Sequence, residues 1–401
     1  MENQQTLNEH DYDLLDLDTH VDDPWPMYTY LREEAPLYWD RHNDLWAVSR
    51  HADIVAMSSD TETFTSGEGA LANIPPDPSM IHQYPEQHGK QRRLVSSAFT
   101  PSRMRSLEAD ARDIAIEIIE NVRPDGRCDA VTDLAKHLPL RLIGAMLGHP
   151  KEDLEMIQAW TDAMAQGGSG PQYVDETTND AFDGFAAYHE EAIAKRMEKR
   201  TDDILSVWLD AEIDGEKLDE SQLLFEHALI FVGGSETTRN VMSCGIEMLI
   251  KNPGQRQYFI DNIDDPAVNK AAIEEMIRWA VPFTRMVRVA TRDVEMYGKT
   301  IEEGQGIMMM YPPAMRDPRV FDDPDRFDIR RPAPTSNLSF GHGRHLCLGA
   351  NLARMELRIF FDELLRRIPN MELDPERSPT KRRSSFIRGL TSLPVVWEIA
   401  S

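Results

Sequence analysis

The stretch Phe340-Gly341-His342-Gly343-Arg344-His345-Leu346-Cys347-Leu348-Gly349 places one thiol at the end of a glycine-broken loop. Behind it, Leu352, Leu357, Phe360, Phe361, Leu364 and Leu365 recur at helical spacing, which predicts an amphipathic helix from Ala350 to Ile368. Cys347 then sits at a helix N-terminus, where free backbone N–H groups and the positive end of the dipole favour a thiolate. A lone cysteine is more often a small buried hydrophobe, but this one follows two glycines, two histidines and an arginine. Gly349 leaves room for a flat, large group to approach. An anionic sulfur held by amide donors is the ligand a haem iron needs to cleave O–O bonds.

A second stretch with chemistry is Phe231-Val232-Gly233-Gly234-Ser235-Glu236-Thr237-Thr238. It lies inside the longest helix pattern of the chain, Asp219 to Lys251, which starts with capping-box spacing at Asp219 and Gln222 and stops at Asn252-Pro253. Two adjacent glycines cost such a helix about 1 kcal/mol each relative to alanine. They are tolerated where something must come close to the backbone, and an acid and a hydroxyl follow at once. His88 and Arg92, four residues apart, share one face of a third predicted helix, His88 to Phe99.

The cysteine stretch, continued by Leu352-Ala353-Arg354, resembles the haem-binding signature of the cytochromes P-450, the haem-thiolate monooxygenases. The resemblance runs from about residue 25 to 398 and implies one mainly α fold with small β-sheets, residues 21–401, behind a polar N-terminal tail of residues 1–20. It implies haem b (iron protoporphyrin IX), with Cys347 as the metal ligand and Phe340 and Gly349 beside it. The family's propionate-binding residues map onto His88, Arg92, Arg288 and His345. Tyr84-Pro85-Glu86-Gln87-His88 departs from the family's common Asp-Pro-Pro-Glu-His at that place. The family's glycine-acid-threonine motif maps onto Gly233, Gly234, Glu236 and Thr237. Thr237 would hydrogen-bond the oxygen ligand, and Glu236 would deliver protons.

Glu275 and Arg278 match the family's structural Glu-x-x-Arg pair, and Arg326 is the expected third member. The family's variable contact segments map onto Leu71, Leu229, Val232, Phe283, Val287 and Leu390. These side chains are apolar, so the resemblance implies a lipophilic small-molecule substrate of the terpenoid, steroid or branched-lipid class, hydroxylated with O2. The Gly167-to-Pro171 loop would join the two lid helices. Arg285 lies on the strand face opposite Arg288 and has no assigned role. With about 55 residues after Cys347, no flavin or iron-sulfur domain is expected. Electrons would come from a ferredoxin and its NAD(P)H-dependent reductase, docking on Lys90, Arg93, Arg344, Arg354 and Arg358. A peroxygenase using H2O2 and a non-catalytic haem sensor are the alternatives, and neither needs the Glu236–Thr237 pair.

Composition bounds the rest. The 401 residues are 41% hydrophobic, enough for a sizeable core, and carry a formal net charge of -26. That excess argues against nucleic acid or an anionic membrane as partner. Cys128, Cys244 and Cys347 are too far apart in sequence for a metal cluster or disulfide framework. No apolar run reaches membrane-spanning length and the first residues lack a leader pattern, so a cytoplasmic monomer without a membrane anchor is expected. Residues 35–40 and 45–49 alternate as two strands, and 281–288 leaves a helix as another.

Overall fold

In the computed structural model, which describes residues 10–97, 99–212, 214–334 and 337–399, most of the chain is helical. The helices that build the site are α1 (Trp25–Glu33), α2 (Pro85–Ser96), α3 (Pro101–Val122), α4 (His137–Leu147), α5 (Leu154–Gly167), α6 (Glu176–Glu198), α7 (Glu220–Lys251), α8 (Pro266–Ala280) and α9 (Ala350–Arg367). Five strands form the main sheet: β1 (Leu37–Asp40), β2 (Leu45–Val48), β3 (Phe64–Thr65), β4 (Arg285–Ala290) and β5 (Gly306–Met310), in the order β1-β2-β5-β4-β3. Only the β2–β5 pairing is parallel. A three-stranded sheet and two two-stranded ones complete the β structure.

Helix α7 has 32 residues and spans roughly 48 Å at 1.5 Å per residue. Asp219 accepts from the Gln222 N–H at 2.8 Å, and the Gln222 side chain accepts from the Asp219 N–H at 3.0 Å, so the expected capping box is formed. The two halves of α7 bury different faces. Leu223, Ile230 and Phe231 pack with α4, α5 and α6, whereas Val241, Met242, Ile246 and Leu249 pack with α3, α8 and α9. Each fully buried side chain of this kind contributes about 1.5–3 kcal/mol. The Gly233–Thr238 stretch lies between these two cores, so the helix is anchored at both ends and its polar middle is carried by them.

Two expectations need correction. The chain is not a loose tail up to residue 20. Residues 1–9 lie outside the described residues, but Leu14 and Leu15 are fully buried against Met27, Tyr28 and Leu31. The Leu14 N–H also donates to Asp40 Oδ2 at 2.9 Å. A polar average hid two leucines with a cavity to fill. The second correction concerns the Glu-x-x-Arg pair. Arg278 grips Glu275 through two bonds of 2.7 and 2.8 Å, both side chains being buried. The third member is Arg331, whose Nε stands 3.2 Å from Glu275 Oε2. Arg326 offers only its carbonyl to Arg278, and its side chain is exposed beside Asp328. The turn closed by the Arg331 N–H on Asp328 O swings Arg331 back toward α8.

Three buried histidines form a chain that runs from α7, which carries His227, to His149 and His189. His227 Nε2 lies 2.8 Å from His149 Nε2, and His227 Nδ1 lies 2.9 Å from His189 Nδ1. Tyr188 continues it, 3.3 Å from His149 Nδ1, and donates to Asp153 at 2.9 Å. Burial lowers all three pKa values, helped by the Arg196 charge at His149 (about 3) and His189 (about 4) and by the two neighbouring rings at His227. Neutral rings can each donate once and accept once, so the chain closes only while they stay unprotonated.

Two tests follow from this packing. Glu275→Ala leaves a buried guanidinium unpaired and is expected to lower unfolding free energy by about 3–5 kcal/mol. Urea unfolding of the variant checks this, and a loss under 1 kcal/mol would show the pair to be dispensable. For the histidines, folded pKa values lie below the unfolded one, so the unfolded chain binds more protons and the contribution is present above about pH 6.5 and lost as pH falls. The stability gap between wild type and His227→Phe should therefore narrow from pH 6.5 to 4.5, by up to about 1.4 kcal/mol per pH unit. A constant gap would mean that the rings are not held neutral.

Candidate functional site

The cysteine loop is shaped by its glycines. Gly341 and Gly343 take φ of +71° and +68°, which side chains rarely adopt, and a Cβ on Gly343 would meet Ser58 O at 2.5 Å. The Cys347 N–H donates to Phe340 O at 2.9 Å and closes the loop. Cys347 is accessible, although the fold surrounds it. A Cβ on Gly349 would meet only the Cys347 sulfur, at 4.0 Å, so the approach is open there as expected. In the metal-free chain burial pushes the Cys347 thiol up, and the amides of Gly349 and Ala350 with Arg92 and Arg354 only partly offset it. A bound metal ion would displace the proton and leave the thiolate.

His88, Arg92, Arg288 and His345 come together beside this loop. The His88 and His345 rings lie 4.0 Å apart, and His345 Nε2 is 3.1 Å from Ser66 Oγ. Arg92 donates to Leu346 O at 2.6 Å and Arg288 to Val287 O at 2.7 Å. Burial, together with the neighbouring arginines, pulls the His88 pKa down to about 4 and lowers that of His345 further. Burial also lowers both arginines. Among the described residues no carboxylate pairs with either arginine. Both ring nitrogens of His88 are buried without a partner. Such a cluster of donors and cations fits an anion with two carboxylates, and this is the fit that a haem with its propionates requires. No group of three or more His, Cys, Asp or Glu among the described residues could hold a metal ion, so the thiol is the ligand on offer.

A cavity of about 100 Å³ joins this cluster to apolar residues. Phe283 and Met286 line it together with Arg288, Phe340, Gly341 and His345. Leu71, Val232, Phe283 and Met286 pack with Ala165, Phe386 and Ile387 in one apolar cluster. Three of the six expected pocket residues are therefore brought together and three are not. Val287 faces the opposite side of β4, packed with Tyr28 and Met308. Leu390 belongs to the core under α7, and Leu229 packs against the α4–α6 core. Strand alternation could have found Met286, since it shares a face with Arg288 two residues on.

On α7, Gly233 faces open space, whereas a Cβ on Gly234 would meet Ile143 at 2.8 Å. One glycine leaves room and the other lets α4 pack. Thr237 Oγ1 donates back to Gly233 O at 2.8 Å. Glu236 is fully buried and held by Arg239 (2.5 Å), Arg382 and Gln158 (3.0 Å). Gln158 also donates to Asp162 at 2.8 Å. Burial and the hydrogen bond to Asp162 push Glu236 up to about 7. Burial raises Asp162 too, but its bond to Glu236 and the charges of Arg239 and Arg382 bring it down. The pair can hold one proton, on Glu236, with the partly exposed Asp162 ionised. Gln158, Asp162 and Arg382 escaped sequence reading because they lie far from Glu236 in the chain.

The family model for cytochrome P450 matches residues 171–395. The chain is 36% identical over 373 residues to the steroid C26-monooxygenase of Mycobacterium tuberculosis, covering 92% of each. It is 34% identical over 396 residues to the methyl-branched lipid omega-hydroxylase of Mycobacterium bovis, covering 92% of this chain and 90% of the relative. A Mycobacterium marinum cytochrome P450 solved with pseudoionone superposes with a TM-score of 0.88 at 30% identity, over 99% and 100% of the two chains. One from Bacillus megaterium solved with testosterone gives 0.86 at 28%, over 94% and 98%. The chain belongs to the cytochrome P450 family, and is a monooxygenase of its haem b-dependent, single-domain fold. No helix among the described residues is long and apolar enough to cross a membrane.

His88 provides a test that separates fold from ligand. His88→Leu removes two unpartnered buried nitrogens and should raise the stability of the haem-free chain by about 1 kcal/mol or more. In the loaded protein the same change should speed haem loss to excess apomyoglobin. A less stable haem-free variant, or unchanged haem loss, would contradict this placing.

Proposed function

We propose that this enzyme hydroxylates a lipophilic small molecule of the steroid, terpenoid or branched-lipid class, with O2 and electrons from a ferredoxin and its NAD(P)H-dependent reductase. The observation that carries the reading is the cavity at which Phe283 and Met286 meet Arg288, Phe340 and His345. Cys347 would hold the iron through its sulfur, and His88, Arg92, Arg288 and His345 would hold the propionates. Phe340 and Gly349 flank the sulfur, Gly233 gives clearance along α7, and Gly234 lets α4 pack behind it. Bound haem supplies the O2-activating iron, to which a thiolate donates electron density. The protein must bring protons and exclude bulk water. Thr237 presents a hydroxyl one helical turn from Gly233. Glu236, with its pKa raised near 7, can give up and regain a proton near neutrality. Arg239 and Arg382 keep it from swinging away.

Leu71, Val232, Phe283, Met286, Phe386 and Ile387 form the substrate wall. Its apolar character supports a lipophilic substrate, as do the relatives named for steroid and branched-lipid oxidation. The chain acts as one catalytic domain that takes in Leu14 and Leu15, in the cytoplasm and as a monomer. The buried acid beside Thr237 favours O2 chemistry over a peroxygenase or a sensor, since neither of those needs a proton store.

The test is the reduced, carbon-monoxide difference spectrum of the purified protein and of Cys347→His, followed by turnover with each electron source. A strongly red-shifted Soret band that is lost in the variant, with product formed from ferredoxin, reductase and O2, is the expected result. A histidine-type band in the wild type would overturn the Cys347 assignment. Product from H2O2 alone would make it a peroxygenase, and no product from any donor a sensor.

A further inference from the structure

Arg285 is 1% exposed, yet none of the described carboxylates pairs with it. A buried cation without a counter-ion costs several kcal/mol unless dipoles replace the water it has lost. Here carbonyl groups do so. Nη2 donates to Ser169 O at 2.9 Å and reaches Gly168 O at 3.5 Å, and Nη1 donates to Ser385 O. Nε has no partner. Gly168 and Ser169 begin the turn between α5 and α6, while Ser385 lies more than two hundred residues on. One planar fork thus bridges two remote segments, which a lysine could not do with the same geometry.

The fastening is reinforced from both sides. Ser385 Oγ also donates to Ser169 O at 3.2 Å, and the Ser169 and Ser384 hydroxyls meet at 3.0 Å. Phe386, next in the chain, is held by the Thr284 N–H on its carbonyl at 2.9 Å. Its ring lies 5.0 Å from that of Phe283. A Cβ on Gly168 would stand 2.3 Å from the Phe386 ring, so the turn rests directly on that side chain. Phe386 is a member of the apolar cluster with Leu71, Val232 and Met286. The carbonyls gripped by Arg285 therefore belong to the two segments that close over this cluster.

We propose that Arg285 is a positioning residue, which fastens the α5–α6 turn to the Ser385–Phe386 wall and so controls the passage of bulky lipophilic ligands. The inference rests on reading the cluster around Phe283 and Met286 as the substrate pocket. Small ligands need no opening, whereas a bulky one passes only when the carbonyls of Gly168 and Ser169 leave the guanidinium. Once the turn is back in place, the ligand is held by Phe386.

The experiment is stopped-flow binding of two iron ligands, imidazole and the bulky azole econazole, to the haem-loaded wild type, Arg285→Gln and Arg285→Lys. Loss of the charged fork should raise econazole association and dissociation rates at least about tenfold, the worth of one charge-assisted bond, with imidazole rates unchanged. Arg285→Lys, which keeps the charge but cannot bridge, should fall between. Should Arg285→Gln not load haem, Arg285→Lys carries the test alone, and Ser385→Ala, which removes only the Ser385 hydroxyl from Ser169 O beside the fork, should shift the econazole rates in the same direction but less. Equal changes for both ligands, or none, with an intact carbon-monoxide spectrum would overturn the proposal. A wild type that binds imidazole but never econazole would overturn the pocket reading itself.

Discussion

Positive charge that the protein leaves uncompensated is the constraint on which the site depends. Arg92 and Arg288 are brought against His88 and His345 with no carboxylate partner among the described residues. Such an arrangement is unfavourable in the protein alone, as the depressed pKa values of both rings record. It survives because each group is mounted on an element that other forces hold. Helix α2 is fixed by Leu94 and Val95 in the α4–α6 core. Strand β4 is fixed between β5 and β3, and the loop bearing His345 by its glycine turns. The same frame holds the accessible Cys347 beside this cluster. One dianionic ligand that carries a metal would relieve the cation cluster and engage the sulfur together.

The long helix solves a different problem. A groove and a proton-bearing acid must sit mid-helix, where Gly233 and Gly234 weaken the backbone and Glu236 is costly to bury. Apolar burial at both ends outweighs the glycine cost, and Arg239, Arg382 and Gln158 satisfy the acid. Two of these three lie outside α7. Gln158 and its neighbour Asp162 stand on α5, and Arg382 comes from the far C-terminal part of the chain. The proton chemistry of α7 is therefore tuned by segments that also border the substrate side.

How much was legible follows from the range of the interactions. Local signals were sufficient for the Asp219 capping box, the glycine-shaped cysteine loop and the extents of α7 and α9. The placing of His88, Arg92, Arg288 and His345 in one cluster came from the family resemblance, since nothing in their spacing brings them together. Reading failed where a residue's surroundings are set by distant chain. Arg331 displaced Arg326 because a turn, not a motif, decides which arginine faces Glu275. Val287 was taken for a pocket residue although Arg288, with the opposite strand face, already implied Met286. The thiolate expected from the helix N-terminus needs the metal as well, because in the metal-free chain burial outweighs the two nearby amides.

Surface charge shows the same dependence on partners. Lys90, Arg93, Arg344, Arg354 and Arg358 read in sequence as a basic patch on the cysteine side. In the fold Lys90 meets Glu216 and Glu86, Arg93 meets Asp214, Arg354 meets Glu274 and Arg358 meets Glu108. Five bases thus stand among five acids, and only Arg344 finds a backbone carbonyl instead, Pro85 O at 3.0 Å. Paired exposed charges cancel beyond a Debye length of about 8 Å at physiological salt, so they steer a partner weakly. An electron donor approaching this side would be oriented mainly by short-range contacts, such as Arg344 and the exposed Leu346 beside the cysteine. The net charge of -26 is then a property of the whole surface, and says little about the face that matters for electron delivery.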